Sequence, residues 1–368
     1  MSTSVRLTCL CGGSKGTARA AAQVLPEETL LCHCNICRYT SGVLCVSYLT
    51  LASPPIVGVS LTSYGSSSKM ERHFCKICGA HIFAHNSDLD EWYLAAGLIA
   101  IPDAHSQGEK IRTTKIVQHE FVSDTLDGGL ALCLETIQGR KLKFFAQGPD
   151  EEPLTLTSGK FPSVRASPAS KGKSQPDVIT GDGHLHASCH CGGVQFMLSR
   201  PNDQSTQLSS PWPDLLVPYH SGSPTNDEDV KWWLRAGGTK YLAGTCACRS
   251  CRLASGFPIQ TWAFVPKSNI MTLDGQPLSF KSLRSLKQFK SSPGVYRDFC
   301  RRCGATVFWH CDERPDLIDV SVGLLRAEEG SRAEKWLEWW TKRVSFKEDA
   351  VDEVLIDALE KGLPKIAN

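Results

Sequence analysis

Two sets of seven cysteines, laid out in the same order, limit what this chain can fold into more than any other feature of it. The first runs Cys9-x-Cys11-Gly, Cys32-x-Cys34-x-x-Cys37, then Phe74-Cys75-x-x-Cys78-Gly79. The second runs Cys189-x-Cys191-Gly, Cys246-x-Cys248-x-x-Cys251, then Phe299-Cys300-x-x-Cys303-Gly304. Only Cys45, Cys133 and Cys311 of the 17 cysteines fall outside, and they read as small core residues. Paired thiols two or three residues apart, matched by a distant second pair, are the donor pattern of tetrahedral zinc. Four thiols close one site, so Cys9, Cys11, Cys75 and Cys78 form one structural zinc site and Cys189, Cys191, Cys300 and Cys303 another. The three left in each set, Cys32, Cys34 and Cys37 or Cys246, Cys248 and Cys251, match a zinc with an open position. The alternatives are a site closed by a remote Asp, His or Cys, or a metal lost outside substrate binding. The count is two structural ions and up to two more. A zinc with three thiolates suits exchange of a fourth sulfur ligand better than generation of a strong hydroxide, so its natural partner is a small thiol.

The duplication extends past the cysteines. RYTSG at 38–42 answers RLASG at 252–256, YGSSSKMERHFCKICGAHIF at 64–83 answers FKSSPGVYRDFCRRCGATVF at 289–308, and AAGLI at 95–99 answers SVGLL at 321–325. The offset grows from 180 to 225 residues, so the second copy carries longer loops, chiefly an insertion over 201–238. Short runs rich in Val, Ile and Tyr, broken by Gly and Pro, predict a mainly β protein. The expected division is a zinc domain at 1–148, a Pro/Ser/Lys tether at 149–182, a second zinc domain at 183–347, and an amphipathic helix and tail at 348–368. EKWLEWW at 334–340 also reads as helical, with Trp336, Trp339 and Trp340 as an aromatic lid. The copies are expected to end differently, in HEFVSDTLDGGLA at 119–131 and EKWLEWWTKRVSF at 334–346.

A formal net charge of +2 gives no electrostatic case for nucleic acid, and the basic stretch at 160–173 is too thin to change that. No run reaches the roughly 18 apolar residues of a membrane span. The opening MSTSVRLTCLCGG lacks the apolar core of a secretory signal, so the thiols are expected in a reducing compartment, cytoplasm or nucleus. No Walker loop, dinucleotide fingerprint or HExxH motif is present.

These motifs resemble the glutathione-dependent formaldehyde-activating enzyme family, whose domain also occurs in the centromere protein V group. The CxCG knuckle, the CxCxxC group with its small-Gly patch, and the aromatic-CxxCG knuckle all occur at 9–79 and again at 189–304. The resemblance implies tandem β-tent domains of small antiparallel sheets around structural zinc. It also implies a catalytic three-cysteine zinc where glutathione meets formaldehyde, making the chain a carbon–sulfur lyase or synthase. Candidates for the carbonyl oxygen are His33, Arg38, Tyr39 and Arg252. Candidates for the glutathione carboxylates are Arg112, Lys115, Arg249, Arg252 and Arg343, with Arg252 and Arg343 foremost. The competing reading is a non-catalytic zinc-stabilised module that binds a protein or nucleic-acid partner.

Overall fold

The computed structural model describes residues 3–99, 112–155 and 183–367. Most of the expected tether (156–182), with the basic stretch at 160–173, lies outside them. The chain is mostly β, in open sheets, with one longer helix near its C-terminus.

Each copy centres on the same five antiparallel strands. In the first they are ordered Tyr48–Leu51, Glu91–Ala95, His81–Asn86, Met70–Cys75, Leu61–Gly65. In the second, Gln260–Pro266, Leu317–Ser321, Thr306–Cys311, Val295–Cys300 and Leu286–Ser292 repeat that order. A three-stranded sheet carries each N-terminal knuckle, between Ser4–Thr8 and Lys15–Arg19 and between Leu185–Ser188 and Gln195–Leu198. Not all pairing is antiparallel. Glu27–Cys32 runs parallel to Thr114–Glu120, and Lys240–Cys246 parallel to Leu337–Trp339.

That second parallel pair corrects the helical reading of EKWLEWW. Leu337 and Trp339 are buried while the intervening Glu338 pairs with Arg235 at 2.8 Å, an alternation of period two that suits a strand. Trp336 and Trp339 face the core, with Arg200 stacked 3.6 Å from the Trp336 ring and the Trp339 indole N–H donating to Arg332 O. They form no lid. The C-terminal amphipathic helix is present as α3 (Glu353–Gly362), N-capped by Asp352 and burying Leu355, Ile356 and Leu359. It packs on the first copy's turn Ala131–Leu134, with Gly362 held so close to Cys133 O that no Cβ fits.

The two copies are packed face to face about a pseudo-twofold axis. Each CxCxxC group runs into a short helix, α1 (Asn35–Ser41) or α2 (Arg249–Ser255), whose C-terminal glycine, Gly42 or Gly256, is left-handed (φ 83° and 90°). Helix α1 lies on the turn Val322–Leu324 of the second copy, and α2 on the turn Ala96–Leu98 of the first. Leu10 N donates to Leu253 O at 3.1 Å, and the equivalent His190 N donates to Tyr39 O at 2.9 Å. A Cβ on Gly42 would overlap Thr306 O, and one on Gly256 would overlap His81 O. Phe74 covers Gly304 as Phe299 covers Gly79. One buried cluster joins Leu31, Cys45, Ile116 and Cys133 to Val320, Leu324, Leu355 and Leu359, so the copies share a core.

Candidate metal centres and thiol site

The four-cysteine groups gather sulfurs from two distant turns. Cys9 and Cys11 sit 3.5 Å apart, as do Cys11 and Cys75; Cys189–Cys191 and Cys191–Cys300 repeat both distances. In each group all four sulfurs lie within 4.8 Å of one another. A tetrahedron with Zn–S bonds of 2.3 Å has edges of about 3.8 Å, so these groups fit a metal ion. Backbone amides support the sulfurs: Gly13 N and Ser14 N donate to Cys11 and Cys9 at 3.3 Å, and Gly193 N and Val194 N to Cys191 and Cys189. The Gly after each CxC lets those amides turn back on the thiols.

The three-cysteine groups also converge within 4.8 Å, and each sits where a strand ends on a helix. Cys34 N-caps α1, its sulfur accepting from Cys37 N at 3.3 Å; Cys248 caps α2 likewise, accepting from Cys251 N at 3.2 Å. This explains the spacing: an N-cap reaches the amide three residues on, bringing the third thiol beside the second. The first thiol is fixed by the parallel strand, through His33 N to Glu120 O and Ala247 N to Ser345 O, both 2.9 Å.

Two arginines that sequence reasoning missed complete these groups. Arg72 Nη2 donates to Cys37 Sγ at 3.3 Å, and Arg297 Nη1 to Cys251 Sγ at 3.6 Å. Both guanidinium groups are buried. Donation from Cys32 and Cys34, with Arg72 beside them, holds Cys37 well below the usual thiol range although burial opposes it. Cys246, Cys248 and Arg297 do the same for Cys251. The signal was present in the repeat itself, where R-x-F-C ends at Cys75 and at Cys300.

The second group opens onto a cleft of about 340 Å³. Its lining includes Trp212, Trp262, Phe264, Trp309 and Phe346, and also Arg314, which pairs with Asp319 at 2.8 Å. Burial pushes the Asp319 carboxyl up to about 6, with Arg314 opposing. Arg252 and Arg343 do not line this cleft. Arg252 is buried in the interface between the copies, donating to Gly97 O, and Arg343 is engaged by Asp214 and Glu348. His33, Arg38 and Tyr39 are likewise buried: His33 meets His119 at 3.0 Å, and Arg38 donates to Tyr39 Oη. Of the other cations considered for carboxylates, Arg112 pairs with Asp352 and Lys115 with Glu28, while Arg249 is exposed on α2.

The family model for the glutathione-dependent formaldehyde-activating enzyme matches residues 4–115 and again 233–343, more than half of the chain. The chain belongs to this family, as a tandem pair. Comparison with curated proteins gives no match. The second matched segment begins after the Cys189–Cys191 knuckle and after most of the 201–238 insertion. No helix among the described residues is long and apolar enough to cross a membrane.

Proposed function

We propose that the chain is a zinc-dependent carbon–sulfur lyase or synthase acting on the hemithioacetal of glutathione, or a similar small thiol, with formaldehyde or another small aldehyde. The observation that carries this reading is the opening of Cys246, Cys248 and Cys251 onto an aromatic-walled cleft, in a chain whose family chemistry joins a thiol to an aldehyde. On this reading Cys9, Cys11, Cys75 and Cys78, and Cys189, Cys191, Cys300 and Cys303, hold two structural zinc ions, and the three-cysteine groups hold up to two more. Residues 1–148 and 183–347 are then the two β-tent domains, with 149–182 as tether. Zinc at Cys246, Cys248 and Cys251 would lower the pKa of an incoming thiol and hold its sulfur as thiolate.

The protein's own groups do the rest. Arg297 fixes the Cys251 sulfur, while Trp262 and Trp309 exclude water and confine the thiol and aldehyde together, which converts a bimolecular step into a local one. In the synthetic direction the sulfur–carbon bond forms as the carbonyl π bond breaks, and the thiol's proton ends on the new hydroxyl. Asp319, its proton affinity raised toward neutrality, is the cleft carboxyl suited to carry that proton, and Arg314 beside it offers charge to the carbonyl oxygen or a thiol carboxylate.

Calorimetry on the full chain tests this reading. Reduced glutathione should bind, less tightly as falling pH protonates its sulfur, and S-methylglutathione should bind much less well. Cys248→Ser should abolish binding, and NMR exchange should show faster formation of the formaldehyde adduct with wild type. Glutathione binding unchanged in Cys248→Ser would remove the three-cysteine group from the mechanism.

A further inference from the structure

We propose that the insertion of the second copy is a specificity wall, in which residues 211–219 hold the non-reacting part of the thiol at the Cys246/Cys248/Cys251 site. The proposal rests on reading that site as thiol-binding, and it adds which part of the chain selects the thiol. Trp212, Asp214, Leu215 and Tyr219 all line the cleft, and all lie before residue 233, outside the segment that the family model matches. The first copy has no counterpart to the wall, because only residues 20–26 join its matching strands, so the selectivity it confers belongs to the second copy.

The wall is fastened at two points. Asp214 is 4 % exposed and its carboxylate is surrounded by donors. Oδ1 accepts from Phe346 N at 2.6 Å, Ser345 Oγ at 3.1 Å and Arg343 Nη2 at 3.3 Å, and Oδ2 accepts from Tyr219 N at 3.0 Å. A buried carboxylate with that many donors fixes the loop in one position, because leaving any donor or the charge unpaired is costly. Ser345 in turn accepts from Ala247 N, between the first two cysteines of the site, so Asp214 ties the wall to the backbone that sets the thiols. Asp214 is a positioning residue in this arrangement.

The second fastening is a notch. Leu215 lies against Gly244, two residues before Cys246, and a Cβ there would overlap the leucine side chain. The first copy has Leu30 at the matching place, two residues before Cys32, and only residues 20–26 separate its flanking strands. Glycine in a strand interior is unfavourable by itself, so its presence here is explained by the close approach of the wall. Behind it, Leu215 packs with Trp232, Trp233, Leu242, Phe264 and Leu317.

Because the wall lines the same cleft as the sulfurs, a tripeptide-sized thiol held there should reach it, whereas a two-carbon thiol should depend on it much less. The test is calorimetric binding of glutathione and of 2-mercaptoethanol to full-length wild type, Gly244→Leu, Leu215→Ala and Asp214→Asn. Gly244→Leu expels Leu215, and Leu215→Ala trims the wall without adding bulk, so one serves if the other does not fold. Each should weaken glutathione by ~10-fold, the scale of a lost pocket contact, and 2-mercaptoethanol by less than about twofold. Asp214→Asn keeps one acceptor toward Phe346 N and Ser345 and should fall between wild type and these variants. Equal weakening of both thiols, or of neither, overturns the proposal. A second readout needs no thiol binding: mass spectrometry follows alkylation at Cys248 by N-ethylmaleimide and by a pyrene maleimide. The bulky reagent should gain on the small one in Gly244→Leu or Leu215→Ala, and an unchanged ratio overturns the wall. If wild type binds neither thiol, the reading of the site fails, while the alkylation ratio still judges the wall.

Discussion

The two three-cysteine sites are alike at the sulfurs and different around them. Both cap a short helix with the middle cysteine, and both set a buried arginine on the third. Both pair the first cysteine in parallel with a residue just before a left-handed phenylalanine: Glu120 before Phe121 (φ 57°), within a strand, and Ser345 before Phe346 (φ 50°), as an isolated bridge. This register aligns HEF at 119–121 with VSF at 344–346, so the segments set against each other in the sequence, 119–131 and 334–346, overlap only at these three positions. The differences lie elsewhere. Behind the first site His33 and His119 form a buried pair that continues to Leu134 O, where the second copy has Ala247 and Val344. Beside the second site stands the 201–238 insertion, seated at Gly244 where the first copy has Leu30. Duplication has kept the geometry that gathers thiols and varied the walls that would choose a ligand.

The largest effects should come from groups that the two copies share. Cys78→Ser or Cys303→Ser should lose the folded chain outright, because each four-cysteine group crosslinks distant turns and metal-coupled folding energies run to ~10 kcal/mol. Since the copies share one core, either variant should unfold both, read as a single lost transition in calorimetry with metal content measured alongside. Survival of one half as a separate transition would break the picture of a common core.

Next come the glycines of the pseudo-twofold axis. Gly42→Ala and Gly256→Ala each force a side chain into a left-handed position against the other copy's backbone, costing about 1–3 kcal/mol apiece from conformation alone. Their denaturation midpoints should fall by similar amounts. Markedly unequal shifts would show that the axis is only apparent.

A sharper contrast concerns function. Cys34→Ser and Cys248→Ser should both stay folded, but only Cys248→Ser should abolish glutathione binding, since it is Cys248 that lines the described cleft. Equal loss from both would mean the sites work as a pair. The smallest effect expected is at the arginines: Arg297→Met should weaken glutathione by a few-fold, about 1 kcal/mol for one charge-assisted hydrogen bond to sulfur, while Arg72→Met leaves it unchanged. Zinc content per chain, by elemental analysis, should remain that of wild type in both.

Much of the site was legible in the sequence because sulfur chelation is a local act. CxC and CxxC spacings bring thiols together whatever the rest of the chain does, and their recurrence disclosed the duplication and the membership of the family, while short apolar runs broken by Gly and Pro disclosed the mainly β character. The repeat even carried Arg72 and Arg297, at the same distance before the last knuckle, though nothing in a single strand says that an arginine reaches back to a cysteine 35 or 46 residues earlier. What the tertiary structure alone decided depends on contacts between segments far apart in the chain. Arg252, beside the cysteines in sequence, points into the other copy, because an α-helical residue next to a ligand faces a different side of the helix. The aromatic run at 334–340 became a strand because Lys240–Cys246 offered a free edge for it. The tandem duplication was visible in the motifs. The fusion of the two copies into one core was not, since the glycines that admit the other copy's backbone look, in sequence, like ordinary helix ends.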